Sequence, residues 1–353
     1  MVKKKPLVSI IINNFNYEQY LAEAIDSVLA QTYPNIETIV VDDCSTDNSR
    51  QIIASYQDHI IAILRSSNGK QAAALNDGFK ASQGEIILFL DADDYLKENA
   101  IENIVAVWQE GTAKVHYRLQ VVDRNCQPLG YSYPPDTVAL AEGKVWQELL
   151  HTGGYNSVPM SGNACSREVL KQLFPIPDQY KLTADDYLKI SVPFYGRVIK
   201  IAEPIGAYRI HNDNQWALTQ VNGSRFRRFV KHDLQNFALL VEKAREFNLQ
   251  IPPDLERRSL GRLWSRLASL RLEPLQHPIT TDNSLKLTFW GLETLWQYSQ
   301  HNLSKRLIYT VWLVCVGLLP LFIAKPAITW LYAPHLRPKP IDFTVGKIRA
   351  LVS

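Results

Sequence analysis

The chain has little cysteine, and what it has is scattered. Cys44, Cys126, Cys165 and Cys315 show no paired spacing that would hold zinc and no dense framework for disulfides. They read as reduced thiols of a cytoplasmic chain. Charge imbalance is also scarce: 38 Lys and Arg against 35 Asp and Glu leave a net +3, too small to point to nucleic acid. Glycine-rich phosphate loops are missing. No Gly-x-Gly-x-x-Gly follows the first apolar run and no Gly-Lys-Ser/Thr occurs, which sets aside the dinucleotide and P-loop signatures. Val2-Lys3-Lys4-Lys5 followed by Leu7 to Ile12 mimics a signal peptide, but the apolar run is too short and ends in Asn13-Asn14 without a small-residue cleavage site. Internal repeats and low-complexity tracts are absent as well.

What is present is a globular composition, 46% hydrophobic and 21% charged over 353 residues, enough for one large domain and an appendage. The central stretch is Gly84 to Asp94. Ile86 to Leu90 is a continuous apolar run suited to a buried parallel strand, and it ends in Asp91, Asp93 and Asp94. Burying three carboxylates would cost several kcal/mol each, so they belong at the strand's carboxyl end, facing water, a cation or a ligand. A divalent metal with oxygen ligands relieves such repulsion, and a metal suggests a phosphate-bearing substrate. The plainer reading is a polar turn with Asp94 or Tyr95 opening a helix through Trp108.

The preceding residues favour the site. Val8 to Ile12 and Ile36 to Val41 are further buried-strand runs, each followed by a helical pattern, and Ile60 to Leu64 and Gly69 to Ser82 continue the alternation. This predicts an α/β fold with a doubly wound, mostly parallel sheet. Asp42 and Asp43 end the second strand as Asp91 and Asp93 end the acidic one, so two clusters reach the same sheet edge, where such folds bind ligands. Val115 to Asp123 reads as a strand, residues 127–165 as substrate-shaping loops, Arg167 to Phe174 as a helix and Arg197 to Ile201 as a short strand. Asp185 and Asp186 open another helix, where carboxylates also suit the helix dipole.

Beyond Trp216 basic residues dominate. Arg257, Arg258, Arg262 and Arg266 accompany an apolar stripe through Leu260, Leu263, Leu267 and Leu270, which suits either core packing or a membrane-facing basic helix. Leu307 to Ala324 carries no charge between Arg306 and Lys325. About 18 residues reach roughly 27 Å as a helix, marginal for a hydrocarbon core of about 30 Å. A spanning helix, an interfacial hairpin and a buried helix are all consistent with it, and the basic flanks favour membrane association. The expected divisions are 1–215, a basic helical extension over 216–300, and an apolar membrane-associated segment and tail over 301–353.

Four stretches taken together resemble the family 2 inverting glycosyltransferases of GT-A fold: Val8 to Tyr17, Glu37 to Asp47, Gly69 to Gly78 and Asp91-Ala92-Asp93-Asp94. The likeness runs over roughly residues 7 to 213. It implies that Asn13, Phe15 and Asp42 or Asp43 line a nucleobase pocket and that Lys70 lies near the nucleotide. Asp91 approaches the ribose and the metal, Asp93 binds Mg or Mn bridging the diphosphate, and His211, in Tyr-Arg-x-His, joins the metal or diphosphate. Asp186 is the implied general base, with Asp185, Gly162, Asn163 and Arg209 on the acceptor side. Where the family has Pro or Thr in the first loop this chain has Asn13, and its acidic pair is Asp-Asp instead of Glu-Asp. Asn214-Gln215-Trp216 does not fit the Gln-x-x-Arg-Trp of processive synthases, so addition of a single sugar is implied. The implied partners are a nucleotide-diphospho-sugar, a saccharide or lipid-linked saccharide acceptor, and the inner face of the cell membrane. A nucleotidyltransferase would need a glycine-rich activation loop after the first strand, and a non-catalytic membrane-tethered binding protein would need a degraded acidic site; neither is found.

Overall fold

The structure is a computed structural model and describes residues 5–211, 222–299 and 301–332. Asn214-Gln215-Trp216 and the expected boundary at 215 lie outside these. The chain forms two compact units, Met1–Gln147 with Tyr155–His211, and Glu148–Gly154 with Asn212–Ser353.

The first unit is built as the apolar runs dictate. β1 (Val8–Asn14), β2 (Ile36–Asp42), β3 (Ile61–Leu64) and β4 (Ile86–Asp91) alternate with α1 (Glu18–Leu29), α2 (Ser49–Ser55) and α3 (Lys70–Ala81). These four strands pair in parallel. Ile10, Ile12, Val40, Leu88 and Leu90 are sealed in the core with Leu21, Ile25 and Val28 of α1. Fully burying one such side chain contributes about 1.5–3 kcal/mol.

After β4 come β5 (Tyr95–Leu96), α4 (Ala100–Val107), β6 (Thr112–Val122), β7 (Pro128–Tyr133), α5 (Trp146–Thr152), β8 (Asn163–Ser166), α6 (Arg167–Leu170), α7 (Ala184–Ser191) and β9 (Arg197–Arg209). Among the described residues the sheet has nine strands in the order β3-β2-β1-β4-β8-β6-β9-β5, with β7 on β6. It is mixed. β8 runs antiparallel to both β4 and β6, whereas β9 runs parallel to β6. The expected helix from Asp94 to Trp108 begins only at Ala100, because Tyr95 and Leu96 pair with Ala207 and Gly206 of β9. The short strand expected at Arg197 to Ile201 extends to Arg209 for the same reason.

His116 on β6 is fully buried, its Nε2 donating to the Ala141 carbonyl at 2.8 Å. Burial, and then the Lys114 charge, push its pKa down to about 3. A folded pKa below that of an unfolded histidine contributes stability above about pH 6.5 that is lost as the pH falls toward the folded value. Between pH 7 and 5 this contribution should fall by about 2 kcal/mol. Urea unfolding of wild type and His116→Gln at both pH values checks it: wild type should lose more, and equal losses would refute the assignment.

The second unit contains α8 (Gly223–Glu246), α9 (Leu260–Leu272), α10 (Ser284–Gln297), α11 (Leu303–Leu318) and α12 (Leu321–Tyr332). Phe226, Leu263, Leu267, Leu287, Leu295, Leu313, Val316 and Ile328 form one core drawn from all five helices, so residues up to 299 and those from 301 to 332 are not separate bodies. The arginines expected to face lipid headgroups turn inward or pair. Arg262 meets Asp233 at 2.6 Å, Arg266 grips Asp282 through two nitrogens and Glu256 through the third, and Arg258 holds Asp254. A buried charge demands a partner, and these carboxylates supply it. Ser269, His277 and Asp282 are linked in the order of a hydrolase triad, but Ser269 is fully buried and Asp282 is neutralised by Arg266, so the network is structural. Pro320 separates α11 from α12, and no described helix is long and apolar enough to cross a membrane.

Candidate active site

β1 lies between β2 and β4. The chain leaves β1 through α1 toward β2 and returns through α3 to β4 on the other side, so a crevice opens at the carboxyl ends of β1 and β4. Asn13 and Asp91 face each other there in register, and Asn13 Nδ2 donates to Asp91 Oδ1 at 2.9 Å. Asn13 Oδ1 is buried with no protein partner, a group left for a ligand or water to satisfy.

The loops after β1, β2 and β3 are fastened to one another. Asp42 is sealed off from solvent and accepts from Asn14 Nδ2, the Ser45 amide and Arg50 Nε at 2.9–3.0 Å. It is a structural fastener. Asp43 accepts the Gly69 and Lys70 amides at 2.8 and 2.7 Å and has Arg65 Nε at 2.9 Å, so it sets the start of α3. Its carboxylate keeps 4% exposure against none for Asp42, which leaves Asp43 the better placed of the two to meet a ligand. Lys70 reaches over the Phe15 ring at 5.9 Å, and Phe15 is 42% exposed. Asn16, Cys44 and Lys70, one in each loop, all adopt left-handed φ between 58° and 67°. Such backbone costs about 1–3 kcal/mol per residue and tends to cluster at binding sites.

The acidic loop is held tightly. Burial, the Asp93 charge and more weakly the Asp185 charge push the Asp91 pKa up to about 7, against hydrogen bonds from Asn13 and Gln71. Asp94 is pushed up as well, by burial and by its two neighbours; it accepts the Arg209 amide at 2.9 Å while its Oδ2 lacks a partner. Ser161 Oγ takes the Asp91 amide at 3.1 Å. Asp93 Oδ2 lies 3.0 Å from His211 Nε2, whose ring packs against Tyr17 and Tyr20. That contact orients Asp93 and keeps His211 beside it, where the sequence places both as metal ligands.

Arg209 is likewise not at an acceptor surface. It is 1% exposed and its guanidinium bonds the Asp93 carbonyl, Cys126 Sγ, the Arg124 carbonyl and Glu23, with Tyr20 stacked at 4.7 Å. It clamps the acidic loop to α1. Asn163 gives its oxygen to Lys114 Nζ and its amide to the Pro159 carbonyl, and a Cβ at Gly162 would stand 2.9 Å from the Tyr117 carbonyl. Both shape the turn before β8, and neither offers a free group to an acceptor. Asp185 and Asp186 share the first turn of α7. Asp185 is within electrostatic reach of Asp91, whereas Asp186 pairs with Lys189 at 3.8 Å. The acidic pair therefore stands beside the Asp91 cluster, nearly a hundred positions away in sequence. Ser161 has no local sequence signal, since its partners are set by β8 docking on β4.

Among the described residues no three His, Cys, Asp or Glu side chains form a group able to hold a metal by themselves. The oxygen donors of Asp91 and Asp93 suit a hard cation that completes its shell with phosphate oxygens and water. The residues fit Mg or Mn on those terms.

The family described as glycosyl transferase family 2 matches residues 9–160. An uncharacterised glycosyltransferase of Nostoc sp. is 38% identical over 218 residues, covering 59% of this chain and 66% of that protein. The putative teichuronic acid biosynthesis glycosyltransferase TuaG of Bacillus subtilis is 38% identical over 105 residues, 29% of this chain and 42% of TuaG. The chain thus spans less than two thirds of these relatives. Among solved structures, S. aureus TarS 1–349 in complex with UDP-GlcNAc aligns with a TM-score of 0.54 at 15% identity, over 92% of this chain and 91% of that one. The mannosyltransferase PcManGT of Pyrobaculum calidifontis, in complex with GDP-Man and Mn2+, aligns with a TM-score of 0.52 at 19% identity, over 99% and 86%. At these identities the likeness is one of fold.

Proposed function

We propose, from the match of residues 9–160 to glycosyl transferase family 2, that the protein is a metal-dependent inverting glycosyltransferase. It moves one sugar from a nucleotide-diphospho-sugar, a UDP-sugar being the first to test, to an acceptor hydroxyl in cell-envelope polysaccharide or lipid-linked glycan synthesis at the cytoplasmic face of the membrane. The observation that carries this reading is the meeting of Asn13, Asp91 and Asp93 at the crevice, with Asp185 in reach of Asp91.

Phe15, exposed at the rim beside Lys70, supports the nucleobase, and Asp43 reads its edge. Asp93, oriented by His211, and Asp91, oriented by Asn13, hold the divalent cation together with the donor's diphosphate. Bound there, Mg or Mn supplies neutralisation of charge on the departing nucleoside diphosphate. Asp186 takes the proton from the acceptor hydroxyl, which attacks the anomeric carbon on the face opposite the diphosphate and inverts it. Asp185, on the side of Asp91, orients the donor.

Incubation with a panel of UDP- and GDP-sugars, a saccharide acceptor and Mn should release nucleoside diphosphate and yield a product of inverted anomeric configuration by NMR. No turnover of nucleotide-sugars, with pyrophosphate released instead from a nucleoside triphosphate and a sugar 1-phosphate in a parallel incubation, would convert the assignment to a nucleotidyltransferase. Nucleotide binding with no turnover on any donor would make it a binding protein.

A further inference from the structure

The helices of the second unit leave an apolar face uncovered. α10 carries Leu285 and Phe289 on one line, 72% and 67% exposed. α11 carries Leu307 and Val311 in the same way, with Val311 63% exposed, and the corner after Pro320 presents Leu321 and Phe322, the latter 77% exposed. The exposed side of α10 adjoins that of α11 at Trp296 and Thr310, and their buried sides pack together. A Cβ at Gly291 of α10 would touch Leu313, and one at Gly317 of α11 would strike Thr288, so the two helices pack at close range. Exposed Trp296 of α10 donates to Thr310 of α11 at 3.1 Å, next to Val311.

Charge singles out what this face meets. From Ser284 to Tyr332 the sequence holds a single acid, Glu293, which pairs with Arg257 at 4.0 Å, while Lys305 and Lys325 are exposed and Arg306 lies over the Trp296 ring. We propose that α10, α11 and the corner at 318–323 lie in the headgroup region of an anionic lipid bilayer, apolar side chains inward and lysines at the phosphates. An amphipathic face with basic edges, too short to span, binds in this way. Contiguous apolar surface of this kind is rare on a soluble monomer. A second copy is a poorer occupant, because a self-complementary contact would bring Lys305, Arg306 and Lys325 together with only Glu293, already paired with Arg257, as an acid.

The test needs no sugar donor, so it stands apart from the transferase reading. Full-length protein is floated with vesicles of phosphatidylcholine containing phosphatidylglycerol, and with phosphatidylcholine alone. Binding to the anionic vesicles should be at least about tenfold stronger, and once formed should survive roughly 1 M salt, which screens headgroup attraction but not insertion. Val311→Glu with Phe322→Glu should abolish it without altering the melting temperature by more than a few degrees. Lys305→Glu with Lys325→Glu should remove the preference for anionic lipid. Failure of the wild type to float, unchanged binding by the glutamate variants, or a concentration-dependent dimer that Val311→Glu dissociates would each overturn the proposal.

Discussion

Asp186→Asn should lower the rate of sugar transfer by about 10²–10⁴-fold while donor affinity stays within about twofold, because a general base acts on the acceptor proton and not on the nucleotide. Asp186 opens α7 next to Asp185, whose charge reaches Asp91, and it pairs with Lys189 at 3.8 Å. Asp185→Asn should cost much less in turnover and act mainly on the donor. Single-turnover transfer and calorimetric donor binding separate the two. Equal loss from both variants, with lowered melting temperatures, would mean that the pair serves only to cap the helix.

Asp93→Asn should reduce Mn-dependent binding of UDP by at least about a hundredfold, since removing an anionic ligand takes away both charge and a donor oxygen. The fold should persist, because Asn can keep the contact with His211 and the loop remains clamped through the Asp93 carbonyl and Asp94. Titration of UDP with and without Mn checks this, with unfolding cooperativity as the control. A variant that binds UDP with wild-type Mn dependence would remove Asp93 from the metal site.

The half of the sheet that builds the crevice was legible in the sequence because β1, β2 and β4 are buried on both faces, and continuous runs such as Ile86 to Leu90 have few other uses. The two acidic strand ends were legible for the same reason. What could not be read is set by distant partners. Nothing near Arg209 reveals that Glu23 and the Asp93 carbonyl absorb its guanidinium, so it passed for a surface residue. β8 is only four residues long and has no period to detect. For Arg262 and Arg266 the sequence left core packing and a membrane-facing helix open, because their partners Asp233 and Asp282 are separated from them by 29 and 16 positions. The apolar segment 307–324 was recognised, but Pro320 divides it between two helices that bury one side in a shared core.

The clamp on the acidic loop also bears on the order in which the protein is made. Arg209 and His211 reach Asp94 and Asp93 across 115 to 118 positions of chain. A nascent chain that has left the ribosome only as far as residue 196 holds β1 to β4 and both acidic strand ends, but not β9 and not the residues that fix the loop. Contacts over such separations close later than local ones, since the intervening loop entropy must be overcome first. Until β9 has emerged and paired with β6 and β5, the acidic loop therefore lacks the contacts that fix it, and the site acquires its working geometry only then.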